Sequence, residues 1–336
     1  MTITMKDIAR RAGVSRQAVS AALGSSKTSI RVSDETKWRV EQVASELGYR
    51  PNSAARTMVT GKFGCVAMLL TPTADLSTIS WPFLWGIHDA LEARNLHLLQ
   101  AMLPKHDPKR IDSMPKFLRE WMIDGVLVNY MAAIPPALEA ALDNPSQPAV
   151  WMNVNREFDA VRPNDYEASR ELTQRLIGHG HTRITFAMHG TTHYSKHDRI
   201  AGYTDAMRAA GLQPSVAEKL VGTRGWVEVG REWFSSIERP TGVIAYDQFT
   251  ASPLLFAAKM EGLDVPGDLT LATFRGESRE DDAAGVIISS MLVPWYQMGS
   301  ASVGMLVDKI DHPEAQYPVR LIPFTFDPGE TVGPPR

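Results

Sequence analysis

The chain has 336 residues, 44% of them hydrophobic and 22% charged, with 24 Gly and 22 Pro. At roughly 100–200 residues per domain, that length predicts two or three domains, and the composition excludes collagen, coiled-coil rods and a wholly disordered chain. A lone Cys65 excludes an internal disulfide and any cysteine-built metal or iron–sulfur centre. The opening MTITMKDIARRAG has no apolar leader core, and no stretch reaches the ~18 unbroken apolar residues of a membrane span, so a soluble cytoplasmic protein is expected.

The net charge of −3 conceals an asymmetry. Through residue 62 there are eleven basic and five acidic residues, a charge of +6, while the remainder carries −9. A cationic head on an anionic body suggests that one end meets a polyanion; nucleic acid, anionic membrane and acidic protein all fit that charge.

Thr4, three residues ahead of Asp7, predicts a helix start, with Ile8, Ala9 and Ala12 on its apolar face. Gly13 stands where the chain turns, because Gly adopts the left-handed conformation without steric penalty. Ser15 then caps a second short helix over Arg16–Leu23. Two short helices about a glycine turn make a helix-turn-helix, and a third helix from Ser33 to Gly48 supplies the missing core through Val40, Val43, Ala44 and Leu47. In such a motif the start of the second helix reaches base edges. Arg16 can pair with guanine O6/N7 and Gln17 with adenine N6/N7, while Ser15 and Ser33 suit phosphates.

MKDIARRAGVSRQAVSAAL followed by RVSDETKWRVEQVASELGYRPNSAARTMVTGK closely resembles the DNA-binding head of the lactose/galactose repressor (LacI/GalR) family. The resemblance implies a duplex operator contacted also from Thr4, Ser20, Tyr49, Asn52, Ala55 and Arg56. It also implies a hinge helix over 53–58 that pairs with its twin in the minor groove. Met58 occupies the position of the apolar wedge, usually Leu, that kinks the duplex. Ala21 departs from the family, which often has a base-contacting Arg there, so a different operator is expected.

Beyond Gly64, apolar runs alternate with amphipathic stretches. Strands are predicted at 65–70, 96–101, 125–129, 149–152, 184–188, 242–245 and 269–274. Helices are predicted at 83–94, 109–121, 168–177, 199–210, 250–260 and 298–310. That alternation reads as α/β with parallel sheets, in two blocks near 63–160 and 161–290. The expected division is therefore a head (1–50), a hinge and linker (51–62) and a core (63–336) to which the chain's end returns. The tail 328–336 shows no leucine heptad for a tetramer coil.

Looser motifs extend the resemblance through the body: Asp124-Gly125-Val126-Leu127, Gly178-His179-Gly180-His181, Arg199-Ile200-Ala201-Gly202-Tyr203 and Val265-Pro266-Gly267-Asp268. They imply a two-lobed, doubly wound core similar to periplasmic sugar-binding proteins, with an effector in the cleft at the strands' carboxyl ends. Carried over residue by residue, Asn153, Ser195, Arg199, Trp226, Asp247 and Arg275 would line it, although ordinary packing serves Trp226 equally well. Arg275 stands where the family often has a sugar-binding acid. With Arg199, and Lys196 or Arg224, it raises the expectation of an anionic effector; if Arg275 instead pairs with Asp247, Glu277 or Glu280, the effector remains a neutral sugar.

His193 and His197 have helical metal-ligand spacing but lack the rest of a zinc motif, and no nucleophile elbow or phosphate-binding loop occurs. No metal, cofactor or catalytic centre is expected. The reading is a homodimeric transcriptional regulator, a repressor, whose grip on a pseudopalindromic operator is tuned by a sugar or sugar-acid effector with a coupling of ~1–3 kcal/mol. The alternatives are a solute-binding protein, which would need an export signal, and an enzyme on the same two-lobed fold.

Overall fold

The computed structural model describes residues 3–23, 30–50, 57–58, 60–71, 79–102, 116–120, 122–129, 136–143, 146–219, 225–276 and 285–336. Helices α1 (Met5–Ala12), α2 (Arg16–Ala22) and α3 (Asp34–Glu46) build the head. The Thr4 N–H donates to the Asp7 carboxylate at 3.0 Å, starting α1 as its spacing predicts. Gly13 turns the chain at φ +67°, and Ser15 and Ser33 cap the next two helices by accepting from Ala18 N–H and Thr36 N–H. Ile8, Ala9, Ala12, Val19, Ala22, Val40 and Ala44 form the core that none of the three helices could bury alone.

The body begins with β1 (Cys65–Leu70), α4 (Trp81–Glu92), β2 (His97–Met102), α5 (Lys116–Arg119), β3 (Gly125–Asn129), α6 (Pro136–Leu142), β4 (Ala149–Met152) and β5 (Ala160–Pro163). It continues with α7 (Asp165–Gly178), β6 (Ile184–His189), α8 (Ser195–Ala209), β7 (Ser215–Lys219), α9 (Trp226–Phe234), β8 (Gly242–Ala245), α10 (Gln248–Met260), β9 (Thr270–Arg275) and β10 (Ser289–Leu292). It ends with α11 (Trp295–Asp311), β11 (Arg320–Ile322) and β12 (Thr325–Asp327).

Two six-stranded sheets result, ordered β2-β1-β3-β4-β5-β11 and β7-β6-β8-β9-β10-β12. Pairings are parallel throughout except between β10 and β12. The matching orders make the first five strands of the two sheets topological copies, while the sixth is parallel in one and antiparallel in the other. Each is a doubly wound sheet with its switch point beside its first strand, where such folds bind ligands. The apolar runs are unbroken because both faces of each sheet are covered. In β1, Val66, Met68 and Leu70 face one core cluster while Ala67 and Leu69 face another.

The chain leaves the first sheet at Pro163 and returns to it with α11, which packs against α4 and the β3–β5 face. Close helix crossings fix both lobes. A Cβ on Gly86 of α4 would fall 2.1 Å from the Tyr296 carbonyl of α11, and one on Gly202 of α8 would fall 2.1 Å from the Tyr166 carbonyl of α7. This explains the glycine of the Arg199–Tyr203 motif. Its Tyr203 hydroxyl donates to the Ile184 carbonyl at 2.7 Å and accepts the Ser215 N–H at 2.8 Å, tying α8 to β6 and the edge strand β7. Gly202→Ala is expected to destabilise at the top of the ~1–3 kcal/mol range for overpacking, measured as a shift in the urea midpoint; a neutral outcome would mean that the crossing relaxes.

Candidate nucleic-acid interface and effector cleft

On the head, Arg16 and Gln17 are exposed at the start of α2, and their side chains form no hydrogen bond or ion pair with described residues. Ser15 and Ser33 lie exposed at helix N-termini, each accepting a capping N–H, and the Ser33 hydroxyl also lies 3.0 Å from that of Thr36. Thr4 is exposed, Ser20 is half-buried, and Tyr49 is half-buried against the head's core with its N–H on the Ala44 carbonyl at 2.9 Å. Met58 is 90% exposed, an apolar side chain that the protein itself does not cover. Asn52, Ala55 and Arg56 lie outside the described residues.

The segment after Met58 is fastened to the core at two points. The Asp124 carboxylate accepts the backbone N–H groups of Phe63 and Gly64, both at 2.7 Å, and of Cys65 at 3.3 Å. The Lys62 ammonium reaches Asp311, in the last turn of α11, at 2.8 Å. Asp124 was legible only as part of a strand motif; its work is to fix the direction in which the chain leaves the core. Asp124→Ala strands three N–H groups, and about a tenfold loss of affinity for duplex DNA is expected, read by fluorescence anisotropy; unchanged affinity would show that the anchor does not govern the head.

In the core, four of the six expected cleft residues converge. Asn153 follows β4 in the left-handed conformation at φ +57° and is 5% exposed. Its side-chain oxygen accepts from the Tyr194 hydroxyl at 2.9 Å, and its backbone carbonyl accepts from His193 Nε2 at 3.3 Å. Ser195, buried at the start of α8, lies 2.7 Å from His193 Nδ1 and 2.6 Å from the Tyr246 hydroxyl. Arg199, one helical turn on, donates from Nε to Asp165 at 2.7 Å and from Nη1 to the Tyr246 carbonyl. Its guanidinium is stacked 4.6 Å from the Tyr246 ring centre and 4.2 Å from that of Phe274. Asp247 caps α10 through the Thr250 N–H, and its second oxygen is 3.5 Å from His189.

Burial and the adjacent Arg199 push the His193 imidazole down to about 4. It is therefore neutral near pH 7, a donor at Nε2 and an acceptor at Nδ1. Burial raises the Asp165 carboxyl, opposed by the Arg199 guanidinium. Two polar atoms here are buried without a hydrogen-bond partner among described residues, Asp165 Oδ2 and Arg162 Nε. The other end of Arg162 pairs with Asp198 at 2.8 Å.

The described cations on which an anion site was expected have carboxylate partners. Arg275 donates to Asp327 on β12 at 2.6 Å with both side chains buried, and Arg199 is held by Asp165. Lys196 is paired with Glu218 at 2.6 Å, and Arg224 lies outside the described residues. Asp327 was overlooked because it is 52 residues from Arg275, on the strand that the chain adds last. Trp226 opens α9 and packs in the core beside Trp233, yet its Nε1 has no acceptor among described residues. Sequence reasoning also missed Asp165, Tyr194 and Arg162; a carboxylate opening a helix two residues after a strand was the available signal for the first. Among described residues no cluster of three or more metal-ligating side chains occurs, and no helix is long and apolar enough to cross a membrane.

A helix-turn-helix head on a two-lobed core with a polar cleft defines a DNA-binding transcriptional regulator with an effector domain. Residues 4–52 match the family of bacterial regulatory proteins of the lacI type, and residues 173–332 match the periplasmic binding protein-like domain. The chain is 26% identical over 334 residues to catabolite control protein A of Staphylococcus aureus, covering 96% of this chain and 98% of that one. The fold matches the lac repressor dimer bound to operator and the anti-inducer ONPF, with TM-score 0.74 and 19% identity over 98% and 99% of the two chains. It also matches the regulator CelR in complex with cellobiose, with TM-score 0.64 and 22% identity over 98% and 100%. The chain belongs to the LacI/GalR family of transcriptional regulators, which are not enzymes.

Proposed function

We propose that the protein is a cytoplasmic repressor that binds a pseudopalindromic operator as a homodimer and is tuned by a neutral sugar held between its lobes. The observation that carries the DNA reading is the free, exposed pair Arg16–Gln17 at the start of α2, on a head whose charge is opposite to that of the body. Residues 1–50 serve as the head, 51–62 as hinge and linker, and 63–336 as the effector and dimer core. Large exposed apolar side chains on both lobes, Trp81 and Trp85 on α4 and Phe249 and Phe256 on α10, supply a surface for a second copy.

A neutral effector is favoured because the described cations around the cleft are each matched by a carboxylate, leaving no guanidinium uncommitted for an anion. What the cleft offers is hydroxyl chemistry: Asp165 Oδ2 as acceptor and Arg162 Nε as donor, neither with a hydrogen-bond partner among described residues. The cellobiose-bound relative supports the same class.

Fluorescence anisotropy with a library of duplexes, with and without mono- and disaccharides, tests both halves. Selection of one palindromic sequence, abolished on removal of residues 1–62, is the expected result. Arg16→Ala is expected to lose about 1–3 kcal/mol at one base position if it reads guanine; an equal loss on every sequence would assign it to phosphate. Calorimetry that finds uronates or sugar phosphates binding while neutral sugars do not would overturn the effector reading.

A further inference from the structure

A second cavity, of about 820 Å³, lies at the opposite end of the first lobe from the cleft. It opens at the amino ends of β4 and β5, between the last turn of α6, the loop 155–159 and residues 313–316 after α11. That is the end at which the linker joins the core, since Gly64 and Asp124 lie at the starts of β1 and β3. The volume is in the range of small-molecule sites.

Its charge is lopsided. Both bases in the wall are committed: Arg156 lies 4.4 Å above the Trp151 ring and pairs with Glu139 at 2.8 Å and Asp143 at 3.1 Å. Lys309 is held by Asp159 at 2.7 Å and by the Ala315 carbonyl at 2.9 Å. Glu157 and Glu314 line the same cavity, are exposed, and have no basic partner among described residues.

The second observation is Gln147. It is only 8% exposed, it lines this cavity, and its side-chain amide makes no hydrogen bond with any described residue. Its amide atoms are not sealed from solvent, so they open on the cavity, where water or a ligand meets them.

We propose that this cavity is a binding site for a small organic cation bearing primary or secondary ammonium groups. The ammonium N–H groups donate to the Glu157 and Glu314 carboxylates and to the Gln147 side-chain carbonyl, while the excess negative charge turns anionic metabolites away. Occupancy would be felt at the linker, because Pro313 and Glu314 follow directly on Asp311 and His312, and Asp311 holds Lys62. The site does not depend on the effector reading of the cleft.

The test is calorimetry of the full chain at physiological ionic strength with spermidine and putrescine as probes, and acetate as the anionic control. Saturable one-site binding of at least one amine is expected, with none of acetate. Affinity should fall tenfold or more in Glu157→Gln/Glu314→Gln and in Gln147→Leu, and stay within twofold in Glu238→Gln, an exposed acid on the other lobe. Since Glu157 and Glu314 are exposed, their double variant should keep the parent's melting profile, which guards against mistaking misfolding for lost binding. Absence of a saturable isotherm, or equal affinity in the parent and the Glu157/Glu314 variant, would overturn the proposal.

Discussion

Asp165→Ala is expected to destabilise the fold by about 3–5 kcal/mol, the range for stripping one partner from a buried ion pair. The carboxylate is 1% exposed and the Arg199 side chain 9%. Without Asp165, Arg199 keeps the Tyr246 carbonyl and two ring faces but loses the only carboxylate shown on its Nε. An unneutralised guanidinium would then sit beside the cleft, away from water. Asp165→Asn retains an acceptor and should lose less. Asp165→Leu/Arg199→Met removes both charges and should recover much of the difference, because the pair's own desolvation offsets most of its attraction. Urea unfolding of the three variants reads this directly. A single-variant loss below ~1 kcal/mol would mean that solvent reaches Arg199, and the cleft would then be less closed to water than the contacts indicate.

The contrast between Asp165 and the residues that sequence did reveal has a physical cause. A helix-turn-helix is specified locally: the cap at Thr4, the turn at Gly13 and the apolar spacing of Ile8, Ala12 and Val19 all lie within one short window. Of the twelve strands among the described residues, seven were legible, six of them for a related reason, since burial on both sheet faces writes unbroken apolar runs such as Cys65–Leu70; the seventh, β2, is an exposed edge. Of the missed strands, β5 and β10 are buried but have four residues each, with Arg162 or Ser289 and Ser290 interrupting the apolar run. β7 reads Ser-Val-Ala-Glu-Lys because it is a sheet edge with exposed side chains, and β11 and β12 have three residues each. Helix α9 was missed although its first residue, Trp226, was singled out, and of the predicted 109–121 helix only 116–120 lie among the described residues.

The cleft was half legible. Ser195 and Arg199 share a helix with the glycine that its packing demands, so motif and geometry coincide. The partners that decide what Arg199 and Arg275 can do, Asp165 and Asp327, lie 34 and 52 residues away along the chain. Charge matching across such separations leaves no pattern in a window of sequence. This is why an anionic effector could be read from the arginines alone, whereas their carboxylate partners favour the neutral sugar proposed above.

Acidification provides the last test, through His193 and His181. Both are held neutral by burial: His193 is pushed to about 4, and His181, with Nε2 on the Gly333 carbonyl at 2.8 Å, is lowered as well. In the unfolded chain each titrates near 6.5. Above that pH neither state takes up a proton at these sites, and the stabilisation they confer is fully present. As pH falls from 6.5 towards about 4, the unfolded chain binds protons that the folded His193 refuses, so stability declines. The decline for His193 alone amounts to about 3 kcal/mol over that window, at 1.36 kcal/mol per pH unit. His193→Gln can keep a donor towards Asn153 and an acceptor towards Ser195 while removing the titration. Comparing parent and variant between pH 6.5 and 5 limits the contribution of carboxylates, which titrate lower. Across that interval the parent should lose about 2 kcal/mol more than the variant in urea unfolding. Parallel pH profiles would mean that His193 accepts a proton within the fold, and that its contacts with Asn153 and Ser195 survive as those of an imidazolium.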